Sequence, residues 1–500
     1  MKSRLLVLSG VMLVIVMTAG VRLTAQRAGA TPTFNKDVAP IIFNNCVTCH
    51  RPNEIAPMSL MSYTEVRPWA RAIREKVAKR QMPPWYADPR FGEFRNDRRL
   101  SAEQIETIVA WAEGGAPEGA APLTAQVPAV NGGWNHPSGR PPDLVIAMAN
   151  PFNVPAEGEV PNFSLYQELP AELKDGEHFL EAIQILPEVV ASVHHASFRV
   201  GPLPPGTKIG IGEVWPGGPA VYGGLLDAQT GKSVARDVNR SGGGEVDEAA
   251  AAPRQRQSGG VLSYCCYVPG GSFRQYRPGM GYRIPRDGAI TWGLHYTPSG
   301  KPFADQTKVG LWFQKELTQE IVGGSGGSKH LINGKELADD DFTPLRKQGI
   351  ANSGFPALPV IPPNAKNWAI TRITAFKDDM TLYAVWPHMH TRGKEMTYVL
   401  TYPDGREQVV LSVPNYDFNW QLFYELKEPL KIPAGSTLKL VGSYDNSAAN
   451  KWNSSPQKEV YWSEQSWDEM YIGFTDLTFD KQDPRLKRTP TNTSAAGGGQ

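Results

Sequence analysis

Three groups of residues along the chain have the types and spacing of metal chemistry. The first is Cys46-Val47-Thr48-Cys49-His50. Two thiols so spaced, with a histidine directly after, form the attachment motif of a c-type haem: the thiols add to the vinyl groups and the histidine becomes an axial iron ligand. Cys-x-x-Cys also serves thioredoxin-like redox pairs and halves of zinc sites, but no second pair of that kind and no βαβ pattern accompanies it. The sixth iron ligand must come from a distant loop. Met58 and Met61 follow His50 closely, whereas Met82 in "RQMPPWY" comes after a whole helical run and is fixed by two prolines. Met82 is therefore the expected axial partner, since Met/His is a usual cytochrome c pairing.

The other two groups are built from histidine. "VHHASF" carries His194 and His195, "GLHYTPSG" carries His295, and "WPHMHTRG" carries His388 and His390. Positions i and i+2 of a strand share a face, so His388 and His390 can hold one metal while Met389 points away. The adjacent His194 and His195 point to opposite faces of an ordinary strand. Their joint use at one metal demands a local bulge or twist, or mixed Nδ1 and Nε2 ligation. His295, at the end of an alternating run, could supply a third imidazole, and three imidazoles with open positions suit zinc or copper.

Methionine narrows the choice of metal, because a thioether is a soft ligand that prefers copper and makes a poor zinc site. Met470 in "WDEMYIGF" lies on a separate strand-like run and could close the His388 and His390 site, whereas Met396 reads as core. His136, His178 and His330 read as hydrogen-bonded structural histidines. Asp468 and Glu469 read as solvated acids at a strand end, and Asp445 as a turn residue. Trp386, Tyr416, Trp420 and Tyr424 could line a substrate pocket or fill a sandwich core.

These residues need elements to hold them. Residues 31–118 carry helical signals: Val66, Ala70, Ile73 and Val77 recur at helical spacing, and Ser101-Ala102-Glu103-Gln104 is a capping box ahead of Ile105, Ile108, Val109 and Trp111. A linker follows over 119–139. From 140 to 482 short alternating or apolar runs, separated by Pro, Gly, Asn and Asp, predict all-β sandwich domains, divided near 322/323. The polar stretch 231–260 reads as a flexible excursion and 483–500 as a disordered tail.

Residues 1–30 read as an export signal, with Lys2 and Arg4 before an apolar run and small residues after it; an uncleaved anchor is the rival reading. Either places the body of the protein outside the cytoplasm, in the periplasm or secreted. Four cysteines in a chain of 500 residues are too few for a disulfide scaffold, so stability must come from cores. Lys+Arg 51 against Asp+Glu 50 leaves no broad charge that would point to nucleic acid.

The ordered set "VHHASF", "LHYTPSG", "PHMHTRG" and "DEMYIGF" resembles the copper type II monooxygenases, the family of peptidylglycine α-hydroxylating monooxygenase and dopamine β-hydroxylase. The order of helix, haem motif, loop methionine and closing helix over 33–118 resembles a class I cytochrome c. These resemblances imply a small all-α cytochrome c domain followed by two all-β jelly-roll-like sandwiches. They further imply one covalent haem c and two copper ions. His194, His195 and His295 would bind the electron-transferring copper; His388, His390 and Met470 would bind the copper that activates dioxygen. The implied activity is hydroxylation of a C–H bond of a small organic substrate by O2. Electrons would come from a reductant such as ascorbate or a redox protein and pass from haem to the first copper and on to the second. A non-catalytic copper and haem electron carrier is the alternative, and a haem-fused zinc hydrolase is a third reading.

The chain departs from that family in two places. The peptide-amidating branch has an arginine two residues before the first histidine of the pair, where this chain has Trp386, so a glycine-extended peptide is not the expected substrate. The interdomain disulfides of the animal enzymes are also missing, leaving Cys265 and Cys266, which could form a strained vicinal disulfide or stay as buried thiols.

Overall fold

Alternating runs dominate the chain beyond residue 140, and in the computed structural model they form strands, while helices are few and concentrated near the N-terminus. The structure describes residues 31–481 except 53, 55, 121, 127–132, 191, 235–261, 269–270, 272, 325–328, 333–334, 337–359 and 462–464. Residues 1–30, which the sequence reads as an export signal, most of the 231–260 stretch, part of the joint near 322 and the tail from 482 lie outside the described residues, as do the side chains of Cys265, Cys266 and His330. No helix among the described residues is long and apolar enough to cross a membrane.

The helices Ala39–Asn45, Tyr63–Val66, Ala70–Ala78 and Ala102–Glu113 share one apolar cluster. Ser101 starts the last of them: its Oγ accepts from the Gln104 amide at 3.1 Å, and Gln104 Oε1 accepts from the Ser101 amide at 2.9 Å. Two of the helix's orphan N-terminal donors are thereby satisfied. Its apolar face buries Ile108 and Trp111 against Phe34, Ile73 and Val77.

The segment 85–96, between two of these helices, leaves this cluster. Trp85, Ala87 and Phe94 belong instead to the core that contains Tyr424 and Leu426. The Asp88 amide donates to Ser412 O and the Arg95 amide to Glu425 O, so the segment is a strap laid along the C-terminal β unit.

Two sheets surround the first β core. One contains Leu144–Ala147, Lys308–Gln314, His178–Leu186, Met280–Ile284 and Gln319–Glu320, with Phe273–Gln275 paired to its central strand. The other runs Phe163–Glu168, Ala289–Tyr296, Val193–Gly201 and Leu262–Tyr267. Alternate side chains of both enter one cluster that includes Leu180, Ile183, Phe198 and Trp292, as a β-sandwich requires. The second β unit pairs a sheet of Val322–Gly324, Ile472–Phe479, Met380–His388 and Tyr424–Ile432 with a sheet that includes Trp368–Ala375, Thr437–Tyr444, Gly393–Thr401 and Glu407–Val413.

Buried polar contacts join the two sandwiches. Arg274 and Asp476 form an ion pair, Arg277 donates to the Leu426 carbonyl at 2.7 Å, and Tyr383 donates to Gln319 at 2.8 Å. The loop after the Cys-x-x-Cys-His motif meets the N-terminal sandwich through Arg51 and Asn135, 3.0 Å apart.

Candidate metal centres

His195 and His295 face each other across paired strands, and the register slips between His295 and Tyr296, which pairs with Val193. His194 is therefore the unmatched residue of a β-bulge. A bulge re-aims one side chain, and here it lets neighbouring histidines converge. The ligand-capable nitrogens of His194, His195 and His295 lie within 4.8 Å of one another. Nδ1 of His194 and of His295 is buried without a protein partner. Burial lowers all three imidazole pKa values, that of His295 to about 3, so the set is neutral and able to donate lone pairs.

The second set is held at the end of a strand. His388 closes Met380–His388, with its Nε2 3.3 Å from Met470 Sδ and its Nδ1 2.5 Å from Gln421 Oε1. Met389 turns into the apolar core and Met396 is fully buried there. His390 Nδ1 lies 3.1 Å from the Asp468 carbonyl, which leaves Nε2 for other use. Burial lowers the pKa of His388 to about 4 and that of His390 well below the usual value.

The reading of Asp468 and Glu469 as solvated acids is corrected: both are buried, and Glu469 has a structural task. It is fully buried, and its two oxygens accept from the His390 amide at 2.7 Å and the Arg392 amide at 2.6 Å. Desolvation raises its pKa to about 8. The side chain ties the histidine loop to the segment that carries Met470. Its position next to Met470 was a signal, but an acid beside a strand gives no sign of burial by itself. Asp445 does cap a turn, accepting from the Ser447 amide and hydroxyl.

Phe418 links the two histidine sets and carries no motif of its own. Its ring stacks on His194 with centroids 4.9 Å apart and meets His390 edge-on at 5.6 Å. The sets thus face each other across a single aromatic ring.

At the Cys-x-x-Cys-His stretch, Cys46 and Cys49 are free thiols, and burial pushes the Cys46 pKa up to about 12. His50 Nδ1 lies 3.2 Å from the Met58 carbonyl, which orients the ring and leaves Nε2 open. Met58 and Met61 pack against the same cluster as Cys46; Met82 is half-buried at the start of the strap and is not part of it.

The remaining candidates divide. His136 is satisfied by Ser138 at 2.8 Å and Glu181 at 3.2 Å, whereas His178 Nε2 is buried without a partner and so departs from the hydrogen-bonded reading. Trp386 lines a cleft beside His388. Tyr424 is core, Trp420 packs against that core, and Tyr416 donates to the Met389 carbonyl at 2.8 Å.

No family model and no curated protein matches the chain. Solved structures that resemble it do so faintly. A tandem CBM22 domain from Paenibacillus barcinonensis Xyn10C is 9% identical, covers 68% of this chain and 93% of its own, and gives a TM-score of 0.17. An uncharacterized protein of Listeria monocytogenes EGD-e is 13% identical over 38% of this chain and 14% of its own, with a TM-score of 0.14.

Proposed function

We propose that the chain is an exported copper- and haem-dependent monooxygenase that hydroxylates a C–H bond of a small organic molecule. The observation that carries this reading is the pair of neutral donor sets, three half-buried imidazoles in one and two imidazoles with a thioether in the other, facing each other across Phe418. The first set suits a copper that cycles by one electron; the second, with its soft sulfur, favours copper over zinc. Cys46, Cys49 and His50 would hold one haem c, with Met82 as the axial partner suggested by sequence order.

When bound, these groups would supply one-electron transfer and dioxygen activation, so that R–H, O2, two protons and two electrons give R–OH and water, the electrons coming from an external reductant. The protein's own residues orient and protect the centres. Gln421 and the Asp468 carbonyl fix the His388 and His390 rings, Glu469 braces the loop from His390 to Arg392, and Phe418 lies between the two sets.

Metal analysis and EPR of the purified protein test the reading. Two coppers with a type 2 Cu(II) signal and one covalent haem are expected, with one copper lost in His295→Ala and the other in Met470→Leu together with His388→Ala. A zinc-only protein, or one without bound metal, refutes it. Oxygen uptake that depends on an added C–H substrate separates the enzyme from a non-catalytic electron carrier.

A further inference from the structure

A cleft of about 610 Å³, measured with its open mouth, adjoins His388. Three parts of the chain build it: the C-terminal sandwich gives Trp386, Phe423 and Phe474, the N-terminal sandwich gives Arg274, and the strap gives Trp85 and then Arg98 beyond it. Four aromatic rings stand in its walls beside polar groups such as Asn96 and Gln421, and among the described residues no Asp or Glu lines it.

The charge of the cleft follows from Arg274. Its guanidinium lies 5.1 Å from the Trp386 ring and 4.9 Å from the Phe423 ring. Those faces are where an ammonium group would seat by cation–π attraction, and the protein's own cation already occupies them. No Asp or Glu among the described lining residues is placed to receive an incoming amine, and Arg274, whose charge Asp476 balances, already covers these ring faces. Trp386 also stacks on Phe474, with centroids 4.9 Å apart, which leaves aromatic edges to receive a flat ring. Trp85 adds a donor: its indole N–H is buried and has no protein partner. An acceptor atom on a ligand would satisfy it.

We propose that this cleft takes a planar, ring-bearing molecule with acceptor oxygens, neutral or anionic, and rejects cationic amines; the inference rests on the reading of His388, His390 and Met470 as the oxygen-activating centre. Trp386, which removes the peptide-carboxylate arginine of the amidating branch, becomes a wall for the ring.

Titration of the full-length, metal-free protein tests this through tryptophan fluorescence and calorimetry, with 3-phenylpropionate, phenethylamine and hexanoate as probes. The aromatic acid is expected to bind about tenfold or more tightly than either of the others, which corresponds to about 1.4 kcal/mol. Trp386→Leu should weaken it by about tenfold, while Trp386→Phe, which keeps a ring, should retain most of the affinity. Equal or tighter binding of phenethylamine, equal binding of hexanoate, or no binding of any probe overturns the proposal. Copper stoichiometry on the same preparation separates the two ideas: a protein that binds two coppers but no aromatic acid refutes the cleft assignment alone, and one that binds the acid but no copper refutes the metal reading.

Discussion

Replacing Asp476 with Asn leaves the Arg274 guanidinium buried without its counter-charge. The side chains of Arg274 and Asp476 are 5% and 1% exposed, so water cannot take over. Removing one partner of a buried pair costs about 3–5 kcal/mol. Arg274 keeps its contacts with Tyr276, Trp386 and Phe423, and desolvated cation–π contacts recover up to about 2 kcal/mol, which puts the expected loss near the low end, about 3 kcal/mol. For units of this size 1 kcal/mol shifts the melting midpoint by about 2–4 °C, so Asp476→Asn should lower it by roughly 6–12 °C. Arg274 lies on Phe273–Gln275 and Asp476 on Ile472–Phe479, so the loss falls on the joint between the sandwiches. Scanning calorimetry and urea unfolding read it out. The double variant Arg274→Met with Asp476→Leu should recover most of the loss, since apolar replacement of a buried pair is near neutral. A shift under about 3 °C for the single variant, or a double variant no better than the single, refutes the reasoning.

Metal-free protein should be most stable at about pH 7, where the protons the unfolded chain's histidines still take up balance the one Glu469 holds in the folded state. Below that value the unfolded chain protonates histidines whose folded pKa values are lowered, to about 4 for His388 and about 3 for His295, so stability falls as pH drops. Above it the dominant change is at Glu469, whose raised folded value of about 8 makes stability fall as pH rises toward 8; Glu469→Gln should flatten that upper limb in a series of melting curves. Ser101→Ala should cost about 1 kcal/mol and speed amide exchange in the first turn of Ala102–Glu113, and unchanged exchange there would count against the cap. Cys46→Ser with Cys49→Ser should leave no haem on the denatured polypeptide in a gel stained for covalent haem, and retained stain would refute thiol attachment.

Sequence alone was enough to read the β-rich character of the region after 140, the Ser101 capping box and the types and spacing of the histidine and methionine donors. Each is a local signal: alternation has a period of two, a cap spans four residues, and His-x-His needs only strand geometry. Adjacency of His194 and His195 left a bulge or twist, or mixed ligation, as ways to bring them together, and strand pairing decided for a bulge opposite His295 and Tyr296. Only the tertiary structure brought Phe418 between His194 and His390, buried Glu469 beneath the histidine loop, and carried the strap 85–96 from the helical cluster to the C-terminal core. Those outcomes depend on which distant surfaces exclude water together. Phe418 has no partner within its own stretch that would mark it, and a glutamate's neighbours in sequence do not record its burial. The Cys-x-x-Cys-His motif and the histidine pairs raised metal chemistry as an expectation, and long-range packing decided which groups hold these residues in place and what faces them.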